Sequence, residues 1–302
     1  MTLTQKTIRR EVHCAGIGLH CGKRVAMRLL PAAPDTGVRF RRLDLEGREI
    51  PATIGNLHQT TYATQLVANE ASINTVEHVL AATAGLGIDN LVIEIEGEEV
   101  PVMDGSAAPF VYLLHEAGLR RQAAPRRFLK LLEPLRVDRG DKFIAIYPAE
   151  RLKISYTIDF DHPLIGVQRE TFVITPRAFT EQIAPARTFG FLREVEHLRS
   201  QGLALGGSME NAVVVGDNSI LNPQLRFPDE FVRHKILDAI GDLALLGNPL
   251  LGHVVAYRAG HALHAALVNK IVTTPEAWSL VTWDDIVYEI ASRRPSPVAV
   301  PA

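Results

Sequence analysis

Residues Phe231 to Asp242 read as an amphipathic helix that carries His234, Asp238 and Asp242 at successive four-residue steps. Four residues turn an α-helix through about 400°, so neighbours in that series stand one above the other, roughly 6 Å apart along the axis. An imidazole above a carboxylate at this spacing can grip a divalent cation, or the two can hold each other through a hydrogen bond. A third nitrogen ligand elsewhere would complete a catalytic zinc site with one open coordination position. Val76-Glu77-His78 is the natural place to look for it. Glu77 and His78 sit inside the apolar run Thr75 to Ala82, where two adjacent ionisable side chains are costly unless something satisfies them. A hydrolase can use such a pair by letting one residue ligate zinc while its neighbour takes a proton from the attacking water, which the metal acidifies to a pKa of about 7.

The chain has 11 histidines, too many for each to serve chemistry. His261, after Ala259 and Gly260 at a helix start, is a candidate second acid, with a plain N-terminal turn residue as the alternative. His20 follows Gly16 and Gly18 in a turn where it can face a ligand, although structural use is the commoner fate. His13, His58, His115, His162, His197, His253 and His264 lack a carboxylate at a helpful spacing or sit in surface-like contexts, and are set aside. Thr188, Phe189 and Gly190 bring a hydroxyl, a ring and a glycine together, useful for an oxyanion and a ligand face but common in loops. Met103 to Ala108 reads as a turn and helix N-cap. No dinucleotide fingerprint, P-loop or nucleophile elbow appears in a suitable setting.

The elements that would position these residues fall into two similar series. Thr7 to Val12 and Val25 to Leu30 read as strands joined through the glycine-rich turn Ala15 to His20, and Val38 to Arg42 alternates. Gln65 to Ala68 is a short apolar piece. Ser72 or Asn74 can cap a helix that runs to about Ala84, where Gly85 and Gly87 stop it. Asn90 to Glu96 is the clearest strand, and Ser106 to Gly118 reads as a second helix. Ala123 to Arg127 is polar, carries Pro125 and reads as a linker. The pattern then restarts with strands at Phe128 to Leu132, Leu135 to Val137, Phe143 to Tyr147 and Leu152 to Ile158. Helices over about Pro228 to Leu246 and Gly260 to Val272 flank a strand at Gly252 to Tyr257. Lys23 to Ala32 is weakly echoed by Asp141 to Ala149. Strands first and helices later in each series argue for two α+β domains, residues 1–125 and 126–302, each a sheet backed by helices. Pro185 to Val215 fits neither series. A short helix at Phe191 to Gln201 and a turn-strand at Gly206 to Val215 suit an apolar groove, with a buried connection as the alternative. From Arg293 the chain is proline-rich and predicted disordered.

Two domains also suit a chain of 302 residues. With 47% hydrophobic and 22% charged residues the composition is that of an ordinary globular protein. The formal charge of −2 gives no general attraction to nucleic acid or anionic membrane, so a phosphorylated ligand needs a local cationic cluster. No apolar run approaches the roughly 18 residues of a membrane span. No apolar stretch follows Lys6, Arg9 and Arg10, so no secretory signal is expected. Cys14 and Cys21 form no metal-type pair and are expected to be reduced thiols of a cytoplasmic protein.

Taken together, Gly16 to Lys23, Thr75 to His78, Gly85 to Asn90, Pro101 to Phe110, Ala186 to Phe191, Gly206 to Ser208, Arg226 to Asp242 and Gly260 to Leu263 resemble a known family. They match, in order and from about residue 3 to 272, the UDP-3-O-acyl-N-acetylglucosamine deacetylases, zinc amidases that commit Gram-negative bacteria to lipid A synthesis. The resemblance implies two α+β domains packed helix layer to helix layer with the active site between them. It implies one zinc per chain held by His78, His234 and Asp238, a donor set that also accepts iron(II) or cobalt. Glu77 would be the general base, His261 the acid or a cationic stabiliser steadied by Asp242, and Thr188 an oxyanion donor. Lys235 would meet the diphosphate, Phe160 the uracil or sugar, and His20 the phosphate side. An insert of about 189–215 would line a tunnel for the 3-O-acyl chain, with Phe189, Val195, Gly207, Met209, Ala212 and Val214 along it. The substrate would be the acylated UDP-sugar, its N-acetyl group hydrolysed to acetate, and the protein a monomer. Ala63 stands where the family often has a cysteine near the metal. In some relatives the apolar C-terminus is a degradation signal read by a protease, which makes Pro295 to Ala302 the stretch in question. A hydrolase of another amide, and a non-catalytic holder of the nucleotide sugar, are the rival readings. The second leaves Glu77, Thr188 and His261 without work and offers only three ligands to a structural zinc.

Overall fold

Val25, Met27 and Leu29 are buried and the residues between them exposed, so Arg24–Pro31 is a strand with one face on a core. The computed structural model, which describes residues 3–292, builds a five-stranded sheet around it. Its strands are β1 (Val12–Ile17), β2 (Arg24–Pro31), β3 (Val38–Arg42), β4 (Arg48–Pro51) and β5 (Leu91–Glu96), in the order β1-β2-β5-β3-β4. β2 runs antiparallel to β1 and β5, β3 parallel to β5, and β4 antiparallel to β3.

The second half repeats this plan. β6 (Leu135–Arg139), β7 (Lys142–Tyr147), β8 (Lys153–Asp159), β9 (Val167–Val173) and β10 (His253–Tyr257) lie in the order β6-β7-β10-β8-β9, with the same parallel and antiparallel pairings. The faint echo between Lys23 to Ala32 and Asp141 to Ala149 therefore falls on β2 and β7, which hold the same place in the two sheets.

The helices are α1 (Glu77–Gly85) and α2 (Ala108–Ala117) in the first half and α3 (Leu192–Ser200) in the insert. α4 (Glu230–Leu243), α5 (His261–Val272) and α6 (Trp283–Ser292) follow. α1 and α2 bracket β5 in the chain as α4 and α5 bracket β10. α1 is buried along its length except at Ala84, as befits a helix apolar all round. It packs against both α2 and α4, and α4 against α5, so the two helix layers meet face to face. The result is the expected α+β architecture of two sheets joined through their helices. At the crossing of α1 and α4, Gly241 lies on the main chain of Glu77. A Cβ at position 241 would stand 2.8 Å from the Glu77 carbonyl carbon and 2.9 Å from its Cα, so only glycine lets the helices meet so closely.

Local details differ from the sequence reading. Ala15 to Ile17 belong to β1, and the turn occupies residues 18–23. Ser72 lies in a short strand, Ala71–Ile73, and α1 starts at Glu77 without a side-chain cap. Thr75 turns the chain there at φ 56°. Ala123 to Pro125 finish a strand, Leu119–Pro125, paired antiparallel with Thr4–Ile8, and only Arg126 separates it from the next strand, Arg127–Leu131. That segment is hydrogen-bonded structure, because a two-stranded ribbon has open edges where Pro125 needs no donor. In the insert, Phe189–Phe191 and Val213–Val215 pair in parallel with α3 between them.

No helix among the described residues is long and apolar enough to cross a membrane. Both cysteines are free, and burial pushes each thiol up to about 11. The proline-rich tail from Arg293, including the stretch in question as a degradation signal, lies outside the described residues.

Candidate active site

The four-residue series on α4 survives folding: His234, Asp238 and Asp242 are all buried, and the first turn of α1 brings buried His78 to meet them. His234 Nε2 lies 3.3 Å and His78 Nε2 3.7 Å from the same oxygen, Asp238 Oδ1. The ligand atoms of His78, His234 and Asp238 all fall within 4.8 Å of one another. Asp238 Oδ1 is buried and has no hydrogen-bond partner. A buried carboxylate oxygen in that condition is expensive unless a cation faces it.

The remaining contacts orient these donors. His234 Nδ1 lies 3.0 Å from the carbonyl oxygen of Ala186. A carbonyl only accepts, so Nδ1 carries the proton and the Nε2 lone pair is turned to the cluster. Burial pushes His234 down to about 4, which keeps the ring neutral as a ligand must be. Burial resists ionisation of Asp238, but its neighbours His234 and Lys235 outweigh it and hold the carboxyl well below the usual carboxylate range. Lys235 Nζ donates to Asp238 Oδ2 at 2.7 Å and leaves Oδ1 free. Two imidazole nitrogens and one unshared carboxylate oxygen fit a divalent ion such as zinc.

Glu77 precedes His78 and is itself buried, with Oε2 accepting the main-chain N–H of Thr64 at 3.1 Å. Burial raises its pKa, against the pull of His261 and His78. Opposite it, Asp242 anchors a relay. Its Oδ1 accepts from Thr64 Oγ1 at 2.6 Å, and its Oδ2 from His261 Nδ1 at 2.7 Å and His264 Nδ1 at 2.8 Å. Burial opposes ionisation of Asp242, but the charge and hydrogen bond of His261 and the hydrogen bond of His264 bring it down to about 2. His261 moves the other way. Burial would lower it, yet the charge and hydrogen bond of Asp242, with Asp238 and Glu77 behind, carry it up to about 9. It is therefore a cation at neutral pH, with Nε2 3.9 Å from Asp238 Oδ2 at the edge of the ligand cluster.

His264 was set aside on sequence for want of a carboxylate, and here the structure corrects the reading. It is fully buried on the same helix as His261, three residues on, and its carboxylate comes from α4. Burial lowers its pKa, so the neutral ring gives its Nδ1 proton to Asp242 and accepts the Tyr156 hydroxyl at Nε2, 2.9 Å away. The i, i+3 spacing of His261 and His264 was the available signal. Thr64 and Tyr156 gave none. Asp242, His261 and His264 are also close enough to share a metal, but both Nδ1 atoms that face Asp242 Oδ2 are already committed to it as hydrogen-bond donors. That group is a hydrogen-bond relay.

The segment carrying Thr188 is pinned at both ends. Glu230, in the first turn of α4, accepts from Arg187 through its main-chain N–H at 3.0 Å and its Nε at 2.8 Å, and from the Arg226 N–H at 2.7 Å. Thr188 N–H donates to Gly105 O at 2.8 Å and Thr188 O accepts from Val213 N–H at 2.8 Å. Thr188 is half-buried, two residues from the carbonyl that orients His234.

Lys235 and Phe160 line one cavity of about 350 Å³ together with Lys142 and Arg258, two cations that the sequence reading did not single out. Phe160 packs edge-on to Phe189, with ring centroids 5.7 Å apart. His20 sits in the 18–23 turn with Nε2 buried and unpartnered. Val195, Gly207, Ala212 and Val214 are half-buried, whereas Met209 is 54% exposed, in an insert that also exposes Leu192 and Leu205. Ala63 is buried directly before Thr64.

Two helix-joined α+β sheets with a buried His₂Asp cluster between them place three groups that could hold a divalent ion beside a buried carboxylate and an imidazole. The family model for UDP-3-O-acyl N-acetylglycosamine deacetylase matches residues 5–273. Among curated proteins, the chain is 47% identical over 298 residues to the UDP-3-O-acyl-N-acetylglucosamine deacetylase of Anaeromyxobacter sp. (strain Fw109-5), covering 98% of this chain and 97% of the relative. It is 46% identical to the Pseudomonas entomophila (strain L48) protein of that name, covering 94% and 95%, and 49% identical to the Syntrophotalea carbinolica one, covering 92% and 90%. The chain belongs to the UDP-3-O-acyl-N-acetylglucosamine deacetylase family.

Proposed function

We propose that this chain is a zinc-dependent amide hydrolase that removes the N-acetyl group of UDP-3-O-acyl-N-acetylglucosamine, releasing acetate in the committed step of lipid A synthesis in the cytoplasm. The observation that carries this reading is the partnerless Asp238 Oδ1 between two imidazole nitrogens, one of them on His78, the residue after buried Glu77. A zinc ion on His78, His234 and Asp238 would supply Lewis acidity, polarising the acetyl carbonyl and acidifying a water. Iron(II) suits the same donors.

The other roles fall to the protein's own groups. Glu77, its basicity raised by burial, takes the proton of the attacking water. The Thr188 hydroxyl donates to the carbonyl oxygen as negative charge develops there. Cationic His261, held by Asp242, gives its Nε2 proton to the departing nitrogen as the C–N bond breaks. Lys235, Phe160 and His20 bind the UDP end, joined by Lys142 and Arg258, which share a cavity with Lys235 and Phe160. Phe189, Val195, Gly207, Met209, Ala212 and Val214 follow the acyl chain, where each methylene removed from water adds about 0.8 kcal/mol. Residues 1–125 and 126–302 would be the two units of a monomer that meet at this site.

Zinc-loaded protein is expected to release one acetate for each substrate molecule consumed. Glu77→Gln should keep one metal per chain but lose about 10²- to 10⁴-fold in kcat, whereas His234→Ala should lose the metal by elemental analysis. Substrate left intact after long incubation would remove the function. A Glu77→Gln enzyme near the normal rate would remove only the assignment of the base.

A further inference from the structure

Glu99 is a carboxylate 1% exposed that forms no ion pair with a lysine or arginine among the described residues. Both of its oxygens are nevertheless engaged. Oε1 accepts the main-chain N–H of His20 at 2.8 Å and the hydroxyl of Thr75 at 2.9 Å, and Oε2 accepts the main-chain N–H of Cys21 at 2.8 Å. Two successive N–H groups converging on one carboxylate make the 18–23 turn an anion nest whose anion the protein itself supplies. Gly18 admits that carboxylate and the Cys21 thiol beside it: a Cβ at this position would fall on Cys21 Sγ and stand 2.5 Å from Glu99 Oε2.

Three parts of the site converge on this turn. His20 rides on it, its Nε2 buried and without a partner. The insert is stitched to it, with Leu205 N–H donating to His20 O at 3.1 Å and Gly206 N–H to Leu19 O at 3.0 Å. Gly22, at φ 65°, lies under Leu205, whose Cβ would be 2.9 Å from a methyl added there. The third part is Thr75, held at φ 56°, a left-handed conformation that β-branched residues rarely adopt. It stands just before Val76, Glu77 and His78, so the bond from its hydroxyl to Glu99 ties the turn to the start of α1.

We infer that Glu99 is a positioning residue for substrate binding: it fixes the His20 turn, and the insert stitched to it, against the start of α1. The inference rests on the proposed role of His20 at the phosphate side of the substrate. A carboxylate is required because both oxygens face N–H groups. In Glu99→Gln one of those N–H groups meets an amide NH₂ and loses its acceptor, with almost no change in shape.

A double-mutant cycle with His20→Ala separates positioning from bulk stability, read in kcat/KM with metal content and unfolding midpoint as controls. In the otherwise normal enzyme, Glu99→Gln is expected to lower kcat/KM by about 10-fold or more, mainly through KM, with one metal per chain retained. In the His20→Ala background the same substitution should cost no more than about 3-fold, because the group it positions is gone. Gly18→Ala, which crowds the carboxylate and the Cys21 thiol without neutralising Glu99, should behave the same way and serves if Glu99→Gln folds poorly. Equal losses in both backgrounds, or an unchanged kcat/KM in Glu99→Gln, overturn the inference. So does His20→Ala with normal activity, since Glu99 would then have nothing to position. A wild-type protein that deacetylates nothing marks a different failure, that of the proposed function itself.

Discussion

Replacing Asp242 by Asn is expected to cost activity in a strongly pH-dependent way, because Asp242 contributes charge more than shape. Asn has the same size. Its Oδ1 can accept from His261 and His264, and its amide can donate to Thr64 Oγ1, whose hydroxyl proton is free to rotate away. The negative charge is what disappears. With it, His261 is held up to about 9 in spite of burial. Without it, burial acts with less opposition and the ring falls to or below the ordinary imidazole value of about 6.5. At pH 8 a group of pKa 9 is roughly nine-tenths protonated and one of pKa 6.5 about 3%, so a rate carried by the protonated acid drops about 30-fold or more. At pH 6 the two differ by only about 1.3-fold.

The sign follows from which form works. The acid must carry its proton, so activity fades as pH rises through the His261 pKa, and the variant must fade earlier. Initial rates of acetate release at saturating substrate, measured from about pH 5.5 to 9, give the two profiles. Metal content and circular dichroism check that the variant is loaded and folded. A loss of equal size at every pH would refute the reasoning, as would an alkaline limb that stays where the wild type has it. Either result would mean that Asp242 acts by holding the ring in place, in the manner of a tautomer clamp, without setting its charge.

Gly241→Ala should destabilise the protein by about 1–3 kcal/mol in denaturant titration and lower kcat, since the added methyl falls on the main chain of Glu77. Gly55→Ala, with nothing within 4 Å of its added methyl, is the control expected to pass unnoticed. Glu230→Gln strands the buried guanidinium of Arg187 and should cost about 3–5 kcal/mol in urea unfolding. Its effect on kcat should exceed that of an equally destabilising core substitution, because the same pair holds the segment that carries Thr188 and orients His234.

What could be read from the sequence, and what could not, divides by the range of the interaction. His234, Asp238 and Asp242 were legible because helical periodicity puts them on one face whatever surrounds the helix. Glu77 and His78 were legible because two ionisable groups in an apolar run demand an explanation. Arg24–Pro31 was legible because its half-buried face imposes alternation, whereas Arg48–Pro51 and the alternating Val167–Val173, each an edge strand of its sheet, were not read as strands. His264, Thr64 and Tyr156 join Asp242 from α5, from the loop before Gln65–Ala68 and from β8, and no spacing in the chain announces a contact across 178 residues such as that of Thr64 with Asp242. The start of α1 was misplaced for a similar reason. Ser72 and Asn74 are good caps in isolation, but Thr75 bends the chain at φ 56° and gives its hydroxyl to Glu99. Lys142 and Arg258 escaped notice because one opens a strand and the other follows one, as many surface cations do, and they become notable only beside Lys235 and Phe160.

The repeated plan explains why the site lies where it does. α1 and α4 occupy equivalent places, each preceding the central strand of its own five-stranded sheet in the chain. Two such units can hide their remaining apolar helix surface only against each other, which puts α1 on α4 and the first turn of α1 beside Gly241. Neither half holds the cluster alone: His78 and Glu77 come from the first, and His234, Asp238 and His261 from the second. The close approach allowed by Gly241 therefore sets one variable, the distance between the Glu77–His78 pair and the face of α4. A change there moves the base and one ligand together relative to the other ligands, so it should register in the chemistry before it registers in the fold.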